Sequence, residues 1–180
     1  MKGTRAAVRY AKAFRQLSQE KGSLDIVVAD VKSILAAIKG SKELKMLLQS
    51  PLIKAEKKRA ALKAVFDGKL NELTLSFIDQ ITVHRRENLL ETICEETIAQ
   101  YNELKNIARV SITTTATLSS ELKAELLKNL KTKYQFSEIE LEEKIDENLI
   151  GGMVLRIGDK QIDASIRRKL NDIKQELVHA

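Results

Sequence analysis

Tryptophan is absent from this 180-residue chain and aromatic residues make up only 4% of it, so any interior has to be assembled from Leu, Ile, Val and Ala. A single cysteine, Cys94, excludes an internal disulfide and a multi-thiolate metal site, and points to a reducing compartment. One proline and seven glycines leave little to interrupt helices. No apolar run approaches the roughly 20 residues that a membrane-spanning helix needs, and no apolar segment of a secretory signal opens the chain. Met1–Gln19 carries Lys2, Arg5, Arg9, Lys12 and Arg15 with no acid before Glu20, the charge pattern of a mitochondrial transit peptide. The same stretch reads better as a structural helix with a full apolar face.

Groups able to do chemistry are as scarce. The two histidines, His84 and His179, stand at the basic end of a helix and one residue from the last position, poor places for a base or a metal ligand. Cys94 falls on the apolar face of its helix, where it reads as a small core hydrophobe. HExxH, CxxC, GxSxG and the P-loop pattern are all missing, and Gly151-Gly152 with Gly158 does not make GxGxxG. Those glycines enter a strand instead of opening a helix, which removes the helix N-terminus that would hold phosphate. The acidic row Glu138, Glu140, Glu142, Glu143 lies on a strand whose alternate residues face solvent and form no metal cage. The expectation is therefore no catalytic centre, no cofactor and no metal.

What is present is charge and helical periodicity. Hydrophobic residues make up 43% and charged residues 31%, with a net charge of +6, the profile of a folded, helix-rich protein. The first 70 residues hold 16 Lys/Arg against 6 Asp/Glu, residues 71–105 hold 3 against 7, and residues 106–180 hold 12 against 12. The basic excess at the front suits either a solvated helical face or one of three partners, an acidic protein, a nucleic acid or an anionic membrane surface. No aromatics are interleaved to stack bases, which favours the solvated face.

Apolar spacing predicts helices over residues 4–22, about 24–38, a short one around Leu44–Leu48, Ala55–Phe66, Leu70–Val83 and Glu87–Asn106. Ser23 and Ser41 are placed to cap the second and third. The first helix gathers Ala6, Ala7, Tyr10, Ala11, Ala13, Phe14 and Leu17 in one arc, wider than a single core contact needs. The period then changes. Ile107–Thr115 is β-branched like a strand, Ser119 or Ser120 starts a helix over Glu121–Lys133 with Leu122, Leu126, Leu127 and Leu130 inward, and Glu138–Asp146 alternates. Met153–Ile157 is a further strand, turned back at Gly158-Asp159 through Ile162, and Ser165–Val178 is a terminal helix carrying Ile166, Leu170, Ile173 and Leu177. The predicted class is α+β: a six-helix N-terminal bundle over 1–106, then a small C-terminal α/β domain over 107–180 with a β-hairpin and a terminal helix.

One segment is more specific than any periodicity. From Asp146 it runs through Leu149, Ile150, Gly151 and Gly152, an apolar strand, Gly158 and Asp159, then Ile162 and Asp163, with Ser165 opening a basic helix at Arg167, Arg168 and Lys169. It resembles the signature of the delta subunit of bacterial and chloroplast ATP synthases, the oligomycin-sensitivity-conferring protein of mitochondria. Arg9-Tyr10-Ala11-Lys12-Ala13 and Arg86-Glu87-Asn88-Leu89-Leu90 agree with it. Phe14-Arg15, the absence of proline in 113–118 and the absence of glycine near Tyr134-Gln135 depart from it. Read by themselves, Gly151 and Gly152 permit backbone angles or a close approach that a Cβ forbids, and Asp163 or Ser165 can cap the last helix.

The resemblance implies a non-catalytic peripheral-stalk subunit, linking the catalytic head of an F-type ATP synthase to its membrane sector and resisting rotor torque. It implies two partners: the N-terminal helix of an alpha subunit for the helical domain, and the stalk b subunits for the C-terminal domain. It further implies no nucleic acid, a single copy per complex, and a peripheral place on the cytoplasmic face of the bacterial plasma membrane, with the membrane touched only through the complex. Within that frame the first and fifth helices are expected to form the alpha-binding groove, through Tyr10, Ala13, Phe14 and Leu17 on one side and Phe77, Ile78 and Ile81 on the other.

Overall fold

The computed structural model describes residues 4–158 and 160–179; Lys2 of the basic opening, Asp159 of the expected turn and the side chain of His179 lie outside the described residues. The fold is α+β, with eight α-helices and one four-stranded sheet among those residues. It divides into two compact units, Met1–Tyr101 and Asn102–Ala180.

In the first unit α1 (Arg5–Glu20) is capped by Thr4, whose hydroxyl accepts from the Ala7 amide, and Gly22 at φ +64° ends the connection to α2 (Leu24–Gly40). Ser23 precedes α2 but its hydroxyl makes no capping bond and is buried without a partner. Its backbone at φ −111°, ψ 17° lacks the extended geometry from which a capping side chain reaches the first turn. Ser41 does cap α3 (Lys42–Gln49), accepting from Leu44 N at 3.1 Å. α4 (Ala55–Phe66) follows, and α5 (Glu72–Val83) starts two residues later than its apolar pattern suggests because Asn71 is the cap. Glu87–Leu89 form a 3-10 turn that leads into α6 (Leu90–Leu104).

One apolar cluster holds these helices together, contributed by Ala7, Ala11 and Phe14 of α1, Ile34 and Ile38 of α2, and residues such as Leu62, Ile81 and Ile93 from the later helices. On α6 the buried side is Leu90, Ile93, Cys94, Thr97 and Ile98. Leu104 is half exposed, and Tyr101 turns its hydroxyl to Asp25 at 2.8 Å. Two polar ties lie inside this unit. Asp30 accepts from Asn71 N and Thr74 Oγ1 at 2.8 and 2.7 Å, joining α2 to the start of α5. The buried Lys58 ammonium donates to Glu87 Oε1 at 2.7 Å and to the Leu48 carbonyl at 3.0 Å, joining α4 to the 3-10 turn and to the end of α3.

The second unit is built on β1 (Ile107–Thr114), β2 (Glu138–Ile145), β3 (Gly152–Ile157) and β4 (Lys160–Ser165), in spatial order β2-β1-β3-β4. β1 pairs parallel with β2 through the crossover helix α7 (Ser120–Tyr134), and antiparallel with β3. β3 and β4 form the expected hairpin, Ile157 opposite Lys160. As the central strand, β1 buries Ala108, Val110, Ile112 and Thr114 in strict alternation. Cross-strand registry puts Ile139, Leu141 and Glu143 of β2, and Leu155 and Ile162 of the hairpin, on that same face. α7 covers it through Leu126 and Leu130, and Lys123 meets Glu143 at 2.7 Å, which explains a carboxylate on an apolar face. Leu122, expected inward, is 55% exposed, and the buried contact of α7 is carried further along the helix by Leu130. α8 (Ile166–His179) follows β4 without a break.

Candidate partner-binding surfaces

α1 splits its wide apolar arc in two. Ala7, Ala11, Phe14 and Ser18 are buried, while Ala6, Tyr10, Ala13 and Leu17, spaced four, three and four residues apart, form an adjacent strip. Ala6 and Tyr10 are partly covered, and Ala13 and Leu17 are exposed. α5 meets the buried half of α1, where the rings of Phe14 and Phe77 stack with centroids 3.8 Å apart and parallel planes. Of the seven residues expected to line the groove, Phe14, Ile78 and Ile81 are therefore committed to the core. Tyr10, Ala13, Leu17 and the edge of Phe77 remain at the surface.

α4 and α5 border a groove of about 720 Å³, whose apolar floor includes Leu62, Leu75 and Ile78. Arg59 and Asp79 close across it as a two-pronged ion pair, which raises the guanidinium pKa further above its usual value. Sequence reasoning did not find this groove, because its walls come from helices separated by a loop.

Folding also answers the uneven charge. Lys39 meets Glu95 at 2.8 Å, Lys45 meets Glu91 at 2.9 Å, Lys58 meets Glu87 at 2.7 Å and Arg59 meets Asp79. In each pair the base belongs to the first 70 residues and the acid to 71–105, so part of the basic excess is neutralised within the unit. Cys94 is buried, and burial first, then Glu95 and Glu91, push its thiol up to about 12. A thiol held neutral in this way is a packing group.

In the second unit the signature residues build a junction. Asp146 accepts from the amide and side chain of Asn148 at 3.0 and 2.8 Å, and these bonds hold its carboxyl below the usual range. Leu149 is buried. Gly151 lies so close to Ile166 that a Cβ would sit 2.6 Å from its Cδ1, and its carbonyl accepts from Ile166 N at 3.0 Å. Gly152 has φ +79° and packs against the Ala164 carbonyl, where a Cβ has no room. Asp163 accepts from Ser165, which lowers its pKa, and Ser165 Oγ caps α8 by accepting from Arg168 N at 3.2 Å. Both capping candidates thus serve the same helix start. Gly158 is at the hairpin turn, Ile162 is half exposed on β4, and Ile150 stands exposed at φ +65°.

The surface that sequence reasoning missed is on α8. Ile166, Leu170, Ile173 and Leu177 are 44%, 52%, 52% and 75% exposed. Their spacing signals amphipathicity but does not say what they face.

The family model described as ATP synthase delta (OSCP) subunit matches residues 6–177. The chain is 40% identical to ATP synthase subunit delta of Christiangramia forsetii, over 98% of this chain and 95% of that protein. It is 39% identical to the subunit of the same name from Cytophaga hutchinsonii, over 98% and 96%. Its fold matches a chain in the cryo-EM structure of the Toxoplasma gondii mitochondrial ATP synthase hexamer, with a TM-score of 0.78, 19% identity, and 97% and 98% of the two chains covered. Family match, relatives and fold agree over nearly the whole length: the chain belongs to the ATP synthase delta (OSCP) subunit family and is a peripheral-stalk component of an F-type ATP synthase.

Proposed function

We propose that this subunit works without an active site, as a clamp with two gripping surfaces, one per unit. The six helices of the first unit, taken as a bundle over 1–106, receive the N-terminal helix of an alpha subunit on the exposed strip of α1 beside α5. The domain over 107–180 takes the ends of the b subunits. A single copy then ties head to stalk on the cytoplasmic face of the bacterial membrane, which it reaches only through the complex. Among the described residues no helix is long and apolar enough to cross a membrane.

The observation that carries the alpha site is the divided arc of α1, whose inner half is saturated by the core while Ala13 and Leu17 stay outside and Tyr10 is half covered, at the spacing of a helix-in-groove contact. Phe14, Ile78 and Ile81 support the strip from beneath. The clamp has to resist torque, and apolar anchors excluded from water supply that resistance without covalent chemistry.

Ala13→Glu tests the site, because Ala13 is exposed and a carboxylate there leaves the fold intact. Binding of an alpha N-terminal peptide should weaken by about tenfold or more, roughly the effect of burying one unpaired charge in a small interface. Unchanged affinity in the folded variant removes this strip from the alpha site. The rival reading, a basic nucleic-acid module, is weakened by the ion pairs that use up Lys39, Lys45, Lys58 and Arg59. It predicts binding that collapses with salt, whereas an apolar groove is nearly indifferent to it.

A further inference from the structure

Over residues 1–101 bases outnumber acids 18 to 12, yet the groove between α4 and α5 is acidic. Glu56, Asp67, Glu72 and Asp79 line it, against Arg59 and Lys63. Arg59 and Asp79 satisfy each other. Among the described residues the side chains of Glu56, Asp67 and Glu72 have no ion-pair or hydrogen-bond partner, and all three are exposed. Three unpaired carboxylates thus face one unpaired base, Lys63. Joined by residues 67–71 alone, α4 and α5 run as an antiparallel hairpin. With Arg59 set opposite Asp79, the ion pair divides the groove: Glu56 and Thr82 lie on one side, and Leu62, Leu75, Asp67 and Glu72 lie toward the connecting loop. A helix laid along the whole floor would have to break that two-pronged bond. A compact molecule fits beside it, and about 720 Å³ is within the range of small-molecule sites.

We propose that the loop-side half of this groove is a binding site for a small amphipathic cation, an apolar body that carries an ammonium or amidinium group. The body rests on Leu62 and Leu75, and the charge faces Asp67 and Glu72. A neutral molecule of the same shape gains the floor alone, and an anion meets two like charges as well. The positive charge of the unit disfavours cations at long range, so the preference is supplied locally by these two carboxylates and weakens with salt. The site is independent of both proposed grips, neither of which uses Asp67 or Glu72.

The probes are phenylbutylammonium, phenylbutanol and phenylbutyrate, which share one apolar body and differ in charge. Each is titrated into the full chain at low ionic strength and followed by ligand-observed NMR. The cation should bind about tenfold or more tighter than the anion, with the alcohol between them. Asp67 and Glu72 are exposed, so Asp67→Asn with Glu72→Gln leaves folding intact; it should erase the ranking and leave the affinity for the alcohol unchanged. Leu75→Ala should weaken all three probes together in a chain that still melts cooperatively. Equal affinity for cation and anion, or no binding of the cation up to millimolar concentration, overturns the proposal. A preference for the cation that survives the double substitution places its site elsewhere and overturns it too. So does a basic amphipathic helical peptide that displaces the cation and binds more tightly, since the groove is then a helix site.

Discussion

Gly152 shows how one residue type can be demanded twice. Its φ of +79° disfavours any side chain, and the space a Cβ would occupy is filled by the Ala164 carbonyl across the hairpin. Gly158 has a similar φ of +56° with nothing near its missing Cβ. Gly158→Ala should therefore cost only the backbone penalty of about 1–2 kcal/mol, and Gly152→Ala at least about 2 kcal/mol more, measured by denaturant unfolding. Equal losses at the two sites would show that the close contact is unimportant. Neighbouring Ile150 also adopts positive φ, at +65°, an unusual state for a β-branched residue. Where the family resemblance leads one to expect glycine near Tyr134, Gln135 takes φ +55° itself, closing α7 while its carbonyl accepts from Asn106 Nδ2 at 2.9 Å. The glycine pair could be read from the sequence as a place needing room. Its contact, on a strand twelve residues away, could not.

At the level of elements, periodicity located the helices and strands well and misjudged their outer faces. Leu122 on α7, Leu104 on α6 and the whole stripe of α8 have helical spacing, yet they are exposed. A wheel reports which residues share a side and is silent about whether another element covers it. The motif around Glu87 has the opposite history. From the sequence it reads as the start of the long helix, and it proves to be a 3-10 turn that holds one end of a buried ion pair with Lys58 of α4. Removing one partner strands the other charge in the interior, so Lys58→Ala should lower stability by about 3–5 kcal/mol. The double replacement Lys58→Met with Glu87→Leu should lose much less than the sum of the single losses, as a double-mutant cycle by thermal melting will read. Additive losses would mean that the pair does not interact in the folded state.

For the whole molecule, two separate apolar clusters, one per unit, leave each proposed grip free to be disabled alone. Ala13→Glu should release the alpha peptide and retain the b subunits, and a variant that disables the proposed b-subunit site of the second unit should do the converse. Either break should uncouple reassembled membranes: ATP-driven proton pumping falls severalfold while ATP hydrolysis by the head continues, because a slipping stator transmits no torque. Pumping that survives both variants at wild-type level would contradict the clamp. Residue order alone was enough for the class of fold, the helix and strand spans, the poverty of reactive groups and the family, since propensity, capping and signature residues act over a few neighbours. Folding was needed to learn which half of α1 stays in water, that α8 carries an exposed apolar stripe, and that front-end bases find acids on later elements. Exposure and ion pairing are sums over atoms brought together from distant parts of the chain, and no local pattern contains that sum.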